Sequence, residues 1–469
     1  MKERNKENKL TDNIINSGWV KIPIGNIIIF EYGKGLISTK RNRIGNVPVF
    51  GSNGIVGFHS SALVNNPCLI IGRKGAAGAV HISNVPCWPI DTTYYVIPPT
   101  GINLIFLFYF LSELNLNCLD KSTAIPGLNR NDVYSISIPI PPINEQNRIV
   151  EKIEELFTKL DAGVAALEKV RAQLKRYRQA VLKAAFSGQL TSEWRKKYSN
   201  VGAGSSRPKE SHILDAQGGA TTTPFGGPLQ NNNMPDLPAG WEWKNGKNIF
   251  DFITSGSRGW AKYYSDTGPI FLRMGNLDHN SISLDLRNIQ HVLLPKGIEG
   301  IRTKVEANDI LISITADVGM IALIPENFDE AYINQHIALC RPKKEVFQKY
   351  VAWYLVCQEG GLKQFQNMRR GATKIGLGLD DIRMINIPLT EKEEQNQIVS
   401  EIECRFSVAD EVGKTVDNAL KQAKRLRQSI LKMAFEGKLV PQDPKDEPAE
   451  KLLERIRIEK QKLAKKGKK

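Results

Sequence analysis

The stretch "PPINEQNRIVEKIEEL" (Pro141–Leu156) recurs in altered form as "TEKEEQNQIVSEIECR" (Thr390–Arg405). Both place Glu-Gln-Asn ahead of Ile-Val, and both follow a short apolar segment carrying Ile-Pro. Extending the match outward, an offset of 249 carries Leu128–Leu190 onto Leu377–Leu439 without a gap, with 25 of 63 positions identical. The copies also finish alike, "LKAAFSGQL" against "LKMAFEGKL". Chance does not produce such a match, so the chain is a tandem duplication.

The repeated stretch reads as a long helix. Pro141-Pro142 stop the preceding strand, Asn144 is a candidate N-cap, and Glu145 suits the positive helix end. Ile149, Ile153, Leu156, Leu160, Gly163, Leu167, Val170, Leu174, Tyr177, Val181 and Ala184 follow alternating steps of three and four, a heptad seam. The second copy of that seam is weaker, with Arg405 interrupting it and alanines at Ala409, Ala419 and Ala423. Leu160 and Leu174 are large where Ala409 and Ala423 are small, so an antiparallel pairing of Leu160 with Ala423 and Leu174 with Ala409 is expected, centred near Leu167 and Val416. A helix of about 40 residues spans around 60 Å, enough to hold two modules far apart.

Upstream of each helix the match is faint. "LIIGRKGAAGAV" (Leu69–Val80) aligns with "ILISITADVGMI" (Ile310–Ile321), and "IDTTYYV" (Ile90–Val96) with "INQHIAL" (Ile333–Leu339). Each half opens on Gly-Trp, at Gly18-Trp19 and Gly240-Trp241. The fold class expected is α+β: two β-rich modules joined by two long helices that form an intramolecular antiparallel coiled coil. The expected segments are a polar tail (1–17), a first module (18–140), a spacer helix (141–199) and a flexible Gly/Ser/Thr/Asn-rich linker (200–236). They continue with a second module (237–389), a second spacer helix (390–440) and a basic C-terminal tail or helix (441–469), in which "KQKLAKKGKK" reads as a disordered lysine run. Helices that stay alike while globular parts diverge suggest one scaffold task and two different reading tasks.

Composition narrows the function. At 469 residues and 41% apolar the chain can bury more than one core. No run reaches the roughly 18 to 20 apolar residues of a membrane span, and the polar start lacks a secretory signal, so a cytoplasmic location is expected. A net charge of +15 favours a polyanionic partner. Six scattered cysteines without a Cys-x-x-Cys pair read as reduced thiols.

Over nearly its whole length the chain resembles the specificity subunit of type I restriction–modification enzymes. The resemblance is carried by "PIPPINEQNRIVEKIEEL", "RYRQAVLKAAFSGQL" and "LVPQDPKDEPAEKLLERIRIEK", and in the modules by "IIGRKGAAGAV", "WPIDTTYYV", "AYINQHIAL" and "IPGLNRNDV". It implies two target-recognition domains, each reading half of a split, asymmetric double-stranded DNA site, with the helices setting the gap. It further implies two modification subunits that methylate adenine at N6 with S-adenosylmethionine, and restriction subunits that translocate and cleave with ATP and Mg. The chain itself is then expected to bind no cofactor and no metal. The long 200–236 linker and the weak second seam depart from the family pattern.

Catalytic motifs are largely excluded. Gly413-Lys414-Thr415 has Val408 where a phosphate loop needs its first glycine, and it falls in the predicted coiled coil. No Asn-Pro-Pro-aromatic or Asp-Pro-Pro-aromatic run of an adenine methyltransferase occurs. "FGGPL" (Phe225–Leu229) is too short for a cofactor loop, and Pro235-Asp236 with Glu242 and Lys244 is too tightly spaced for a nuclease strand pair.

DNA reading needs side chains that pair with base edges over a surface that grips phosphate. In the first module the candidates are Arg41, Arg43, Ser52-Asn53, Arg73-Lys74 and Lys121-Ser122-Thr123. In the second they are Arg258, Lys262, Arg273, Asn334-Gln335-His336, Arg369-Arg370 and Lys374. Asp91 and Asn334 have an alternative role as turn formers. On the helices, Lys175, Arg176 and Arg178 match Lys424, Arg425 and Arg427, a duplicated basic patch for DNA or for subunit docking. Gln146-Asn147 and Gln395-Asn396 either hold the helix ends or dock a modification subunit. Two further readings differ in class: a stand-alone bipartite DNA-binding regulator, and a fused restriction–modification enzyme, the latter opposed by the missing methyltransferase motifs.

Overall fold

The structure, a computed structural model, describes residues 18–41, 45–119, 126–202, 234–256, 258–294, 301–370 and 376–466. Arg43, Lys121, Ser122, Thr123, Lys374, the 1–17 tail and most of the 200–236 linker lie outside the described residues. The chain forms two compact units, residues 1–167 with 418–469, and residues 168–417.

In the first unit a short pair closes the module: β1 (Val20–Pro23) runs antiparallel to the later β9 (Ser137–Ile140), Val20 opposite Ile140. Between them come β2 (Glu31–Tyr32), β3 (Val47–Gly51), β4 (Gly54–His59), β5 (Cys68–Gly72), β6 (Val80–Ser83), β7 (Trp88–Pro89) and β8 (Thr93–Val96). They make one sheet ordered β2-β8-β5-β6 and another ordered β4-β3-β7. β5 reads Cys-Leu-Ile-Ile-Gly and is buried throughout, as a short continuous apolar run between turn signals should be. Two helices follow, α1 (Leu104–Glu113) and α2 (Arg130–Tyr134). Asn103 caps α1 by accepting from the Ile105 and Phe106 amides at 2.8 and 3.0 Å.

The long α3 (Ile143–Phe186) comes next and then α4 (Ser192–Gly202). The second unit repeats the first. Its elements are β10 (Glu242–Asn245), α5 (Gly246–Ile249), β11 (Phe250–Ser255), β12 (Tyr264–Leu272), β13 (His291–Val292), β14 (Ile310–Ser313), β15 (Ile321–Leu323), β16 (Ala331–Ile333) and β17 (Ile337–Pro342). After α6 (Gln348–Val356), α7 (Gly361–Met368) and α8 (Leu379–Met384), β18 (Asn386–Leu389) pairs back with β10. The sheets are ordered β11-β17-β14-β15 and β13-β12-β16, the same connectivity as in the first unit. The chain ends with α9 (Lys392–Phe435) and α10 (Ala449–Lys466).

Strand pairing corrects the faint alignment by one residue. Gly72 faces Thr93 and Ile71 faces Tyr94, while Ser313 faces Ile337 and Ile312 faces Ala338. Asp91 therefore corresponds to Gln335 and Thr92 to His336, because a one-residue slip would send every side chain to the wrong face. The turn between β5 and β6 and the one between β14 and β15 share a backbone. Gly75 and Ala316 both have positive φ (80° and 59°), as do Gly78 and Gly319 (82° and 92°).

Several expectations about the helices change. Ile143 already belongs to α3, so Asn144 lies in the first turn rather than at the cap; it donates to Asp446 Oδ1 at 3.2 Å. The first spacer is two helices, since Gly188 (φ 73°) ends α3, as Gly437 (φ 67°) ends α9. The lysine-rich C-terminus is helical as far as Lys466. The seam also departs from a strict heptad. Gly163 and Tyr177 are exposed, Tyr177 by 42%, and Val164 and Arg178 turn inward instead. Arg405 likewise points out and Phe406 is buried in its place. A straight helix drifts about 20° per heptad from a 3.5-residue repeat, so the inner stripe walks onto the neighbouring residue.

Within each unit the two long helices run antiparallel. In the first, Arg427 pairs with Asp161 and stacks 4.0 Å over the Phe157 ring. In the second, Arg178 pairs with Asp410 and lies 4.6 Å over Phe406, while Arg171 Nε is 3.9 Å from Asp417. Leu174 meets Gly413, where an added Cβ would lie 3.9 Å from Leu174 Cδ1; this is one turn from Ala409, which is itself buried. Phe106 and Phe110 of α1 pack edge-on against Phe435. In the other unit Phe186 packs edge-on against Tyr350 and Tyr354.

Candidate nucleic-acid interface

Three turns of the first module converge. The β3–β4 hairpin presents Ser52 and Asn53, with Gly54 at φ 105°. The β5–β6 turn presents Arg73 and Lys74, and a Cβ on Gly75 would lie 3.5 Å from Ser52 Oγ. Arg73 donates through Nε and Nη2 to the Asp91 carbonyl at 3.1 and 2.7 Å, which ties this turn to the one before β8. Gly33 makes the close approach possible, because a Cβ there would sit 2.1 Å from the Ile90 carbonyl oxygen.

Tyr32 and Arg130 belong to the same cluster, and no spacing in the sequence pointed to them. Arg73 and Arg130 stand 5.4 and 4.9 Å from the half-exposed Tyr32 ring, and Arg130 Nη1 donates to Phe30 O at 3.1 Å. Burial, together with the neighbouring Tyr32, pushes the Tyr94 phenol up. The cluster thus combines guanidinium charge with an aromatic face, a pairing that suits phosphate and bases alike. Arg41 is committed elsewhere: it donates to Leu36 O at 3.2 and 3.0 Å and holds its own loop.

The second module builds the same convergence from other chemistry. A Cβ on Gly256 would lie 2.1 Å from Asn334 O, so this glycine does for the second turn what Gly33 does for the first. Asn334 is a turn former: its Oδ1 accepts from the His336 amide at 3.1 Å and its carbonyl from Ile337. His336 Nδ1 meets Thr315 Oγ1 at 2.6 Å and its Nε2 meets Gln335 Nε2 at 2.9 Å. Arg273 follows Leu272, whose carbonyl accepts from the Asn334 amide at 3.1 Å, and exposed Arg258 lies two residues beyond Gly256. Lys262 is also exposed, with Nζ 4.9 Å from the Tyr263 ring. Arg369 and Arg370 are used structurally, Arg369 on Gln366 O at 3.2 Å and Arg370 on Asp381 Oδ1 at 2.7 Å.

The helix motifs divide. Lys175, Arg176, Lys424 and Arg425 are exposed. Arg178 and Arg427 are not part of that patch, because the seam takes them in. Gln146 is wholly buried, accepts from the Asn103 amide at 2.8 Å and donates to Pro141 O at 3.0 Å. Asn147 Oδ1 accepts from Asn103 Nδ2 at 2.8 Å. Gln395 is also buried and donates to Thr390 O at 2.6 Å; Asn396 is exposed. The two glutamines therefore tie each helix start to the residue that follows the preceding strand, Pro141 and Thr390, and burial rules them out as docking surface.

Among the described residues no group of three or more His, Cys, Asp or Glu is placed to hold a metal, and no helix is long and apolar enough to cross a membrane. The family model for the type I restriction modification DNA specificity domain matches residues 16–172 and 245–421, one match to each repeat. The chain belongs to that specificity family. Relatives include the type I restriction enzyme EcoBI specificity subunit of Escherichia coli, 28% identical over 95% of this chain and 93% of the relative. The EcoDI specificity subunit of Escherichia coli is 25% identical over 94% and 95%. A chain from a solved type I R-M system, studied for complex assembly and conformational transition, superposes with a TM-score of 0.66 at 18% identity. The alignment covers 91% of this chain and 100% of that one, and the fold is shared.

Proposed function

We propose that the chain is the non-catalytic reading subunit of a type I restriction–modification complex, with each module reading one half of a bipartite, asymmetric DNA site. The long helices serve as spacer, and the complex acts on cytoplasmic DNA. Two modification subunits methylate adenine at N6 with S-adenosylmethionine, and restriction subunits cleave with ATP and Mg. One observation carries this reading: the modules share strand order and turn geometry, yet place different side chains at equivalent points, Arg73, Lys74 and Asp91 against Ile314, Thr315 and Gln335. A duplicated frame with exchanged contents suits two different half-sites. Ser52, Asn53, Arg73, Lys74 and Tyr32 are assigned to one half, and Arg258, Lys262, Arg273, Gln335 and His336 to the other.

Mapping methylated adenines genome-wide in cells with and without this gene tests the reading. A two-part motif separated by a fixed gap is expected only when the gene is present; an unchanged methylation pattern would sink the proposal. The exposed helix cations are assigned to phosphate. Reversing Arg176 and Arg425 to glutamate should weaken binding equally for all duplexes and flatten the salt dependence, by about 0.9 in slope for each phosphate no longer neutralised. A weakening confined to one sequence would contradict that assignment.

A further inference from the structure

We propose that Gln335 is the specificity-determining residue of the second module, that it reads an adenine in the major groove, and that His336 and Thr315 are its positioning residues. This rests on the DNA-reading role proposed above and assigns a base to one side chain.

The hydrogen bonds fix the chemistry. Gln335 Nε2 can only donate, so at 2.9 Å His336 Nε2 must be the acceptor and carries no proton. The imidazole proton therefore sits on Nδ1 and is donated to Thr315 Oγ1 at 2.6 Å. The Thr315 hydroxyl in turn points its hydrogen at Met274 Sδ, 3.9 Å away. Each donor in this relay has one acceptor, and the relay leaves the glutamine with its carbonyl oxygen and one N–H. That side-by-side acceptor and donor matches adenine, whose N6 amino group donates and whose N7 accepts along the major-groove edge. The His336 backbone is fixed as well, its amide held by Asn334 Oδ1 at 3.1 Å and its carbonyl by the Ile314 amide at 2.9 Å. The side chain is thus presented from a turn whose backbone cannot swing.

The equivalent residue of the first module is exposed Asp91, an acceptor only, so the same point on the same frame carries a different pairing chemistry. Two segments of the second module touch the turn at Asn334, Gly256 by close approach and Leu272 through its carbonyl, and the cations that follow them in the chain, Arg258 and Arg273, are assigned to the adjoining phosphates.

Selection of bound duplexes from a randomised pool by the full chain, alone and with its co-expressed modification subunits, provides the test. With Gln335→Ala, and with Gln335→Met, which keeps the volume, one adenine of one half-site should lose its preference by roughly 5- to 150-fold. The other half-site should be unchanged. Gln335→Glu should turn that same position toward cytosine, whose N4 amino group needs an acceptor. Thr315→Val should blur the same position and Thr315→Ser preserve it, with melting temperatures unchanged. If Gln335→Ala leaves every base preference intact, or weakens a whole half-site evenly, the assignment is wrong. If Thr315→Val alters a different position, the positioning relay is wrong. If the unaltered chain enriches no two-part motif in either format, the reading role itself fails, an outcome distinct from the failure of Gln335 alone.

Discussion

Glu394→Gln should destabilise the second unit by about 3–5 kcal/mol at neutral pH, while the same change at the duplicated position, Glu145→Gln, should be neutral or stabilising. The two glutamates occupy one position of the repeat and are both buried. Glu394 is fully served: Thr191 and Thr390 donate at 2.7 and 2.6 Å, the Trp241 indole at 2.9 Å, and Arg195 forms an ion pair with it. Burial alone would push its carboxyl up, yet these four donors together bring it below the usual range. Glu145 has no such set. Burial pushes it up, Trp19 and Arg148 offset this only in part, and its Oε1 has no hydrogen-bond partner among the described residues. A glutamine at 394 puts an amide hydrogen where donors already point, and it leaves Arg195 without its charge.

The pH dependence separates the two further. A depressed folded pKa gives stability that is present above the unfolded value, near 4.5, and lost as pH falls through the folded one. The penalty of Glu394→Gln should therefore shrink on acidification below about 4.5. A raised folded pKa works the other way, so the Glu145 carboxyl favours folding below 4.5 and loses that advantage as pH rises through its folded value. Denaturant melts of both variants across pH 3.5 to 8, analysed unit by unit, check both signs. Equal destabilisation by the two variants at neutral pH would refute the argument.

Gly256→Ala should cost more than about 4 kcal/mol, among the largest effects open to a single methyl group. The added carbon would lie 2.1 Å from Asn334 O and 2.3 Å from Ile333 O, both backbone atoms that no rotamer change can move aside. To admit it, the turn carrying Gln335 and His336 would have to move away from the end of β11. At about 2–4 °C per kcal/mol for a unit of this size, the melting transition should fall by roughly 8–16 °C. Gly33→Ala should do the same to the first unit, where Ile90 O would lie 2.1 Å away. A melting temperature within 2 °C of the original would show that these turns yield more easily than their geometry implies.

The repeat is plain in the sequence because the helices have kept their residues. From it followed the α+β class, the paired modules and the antiparallel sense of the helices. Strict heptads misplace the seam at Gly163, Tyr177 and Arg405, because they ignore the drift of a real helix. A better signal was present: Phe157, Asp161 and Arg178 are identical to Phe406, Asp410 and Arg427, and these residues form the stacks and ion pairs. In the modules, single-residue alignment fails because neither turn keeps side-chain identity, and only strand register shows Asp91 to be the counterpart of Gln335. Tyr32 and Arg130 were invisible for a related reason. They are 98 positions apart in the chain and meet only through the fold.

The crossed helix contacts have a consequence for how the chain can change over time. In the first unit the arginine comes from the second repeat and the phenylalanine and aspartate from the first; in the second unit the loan is reversed. The unit of inheritance, a repeat, is therefore not the unit of folding. A mutation fixed in one repeat's helix is felt as stability by the module of the other, so the two helices are bound to evolve together, while each module's turns remain free to diverge.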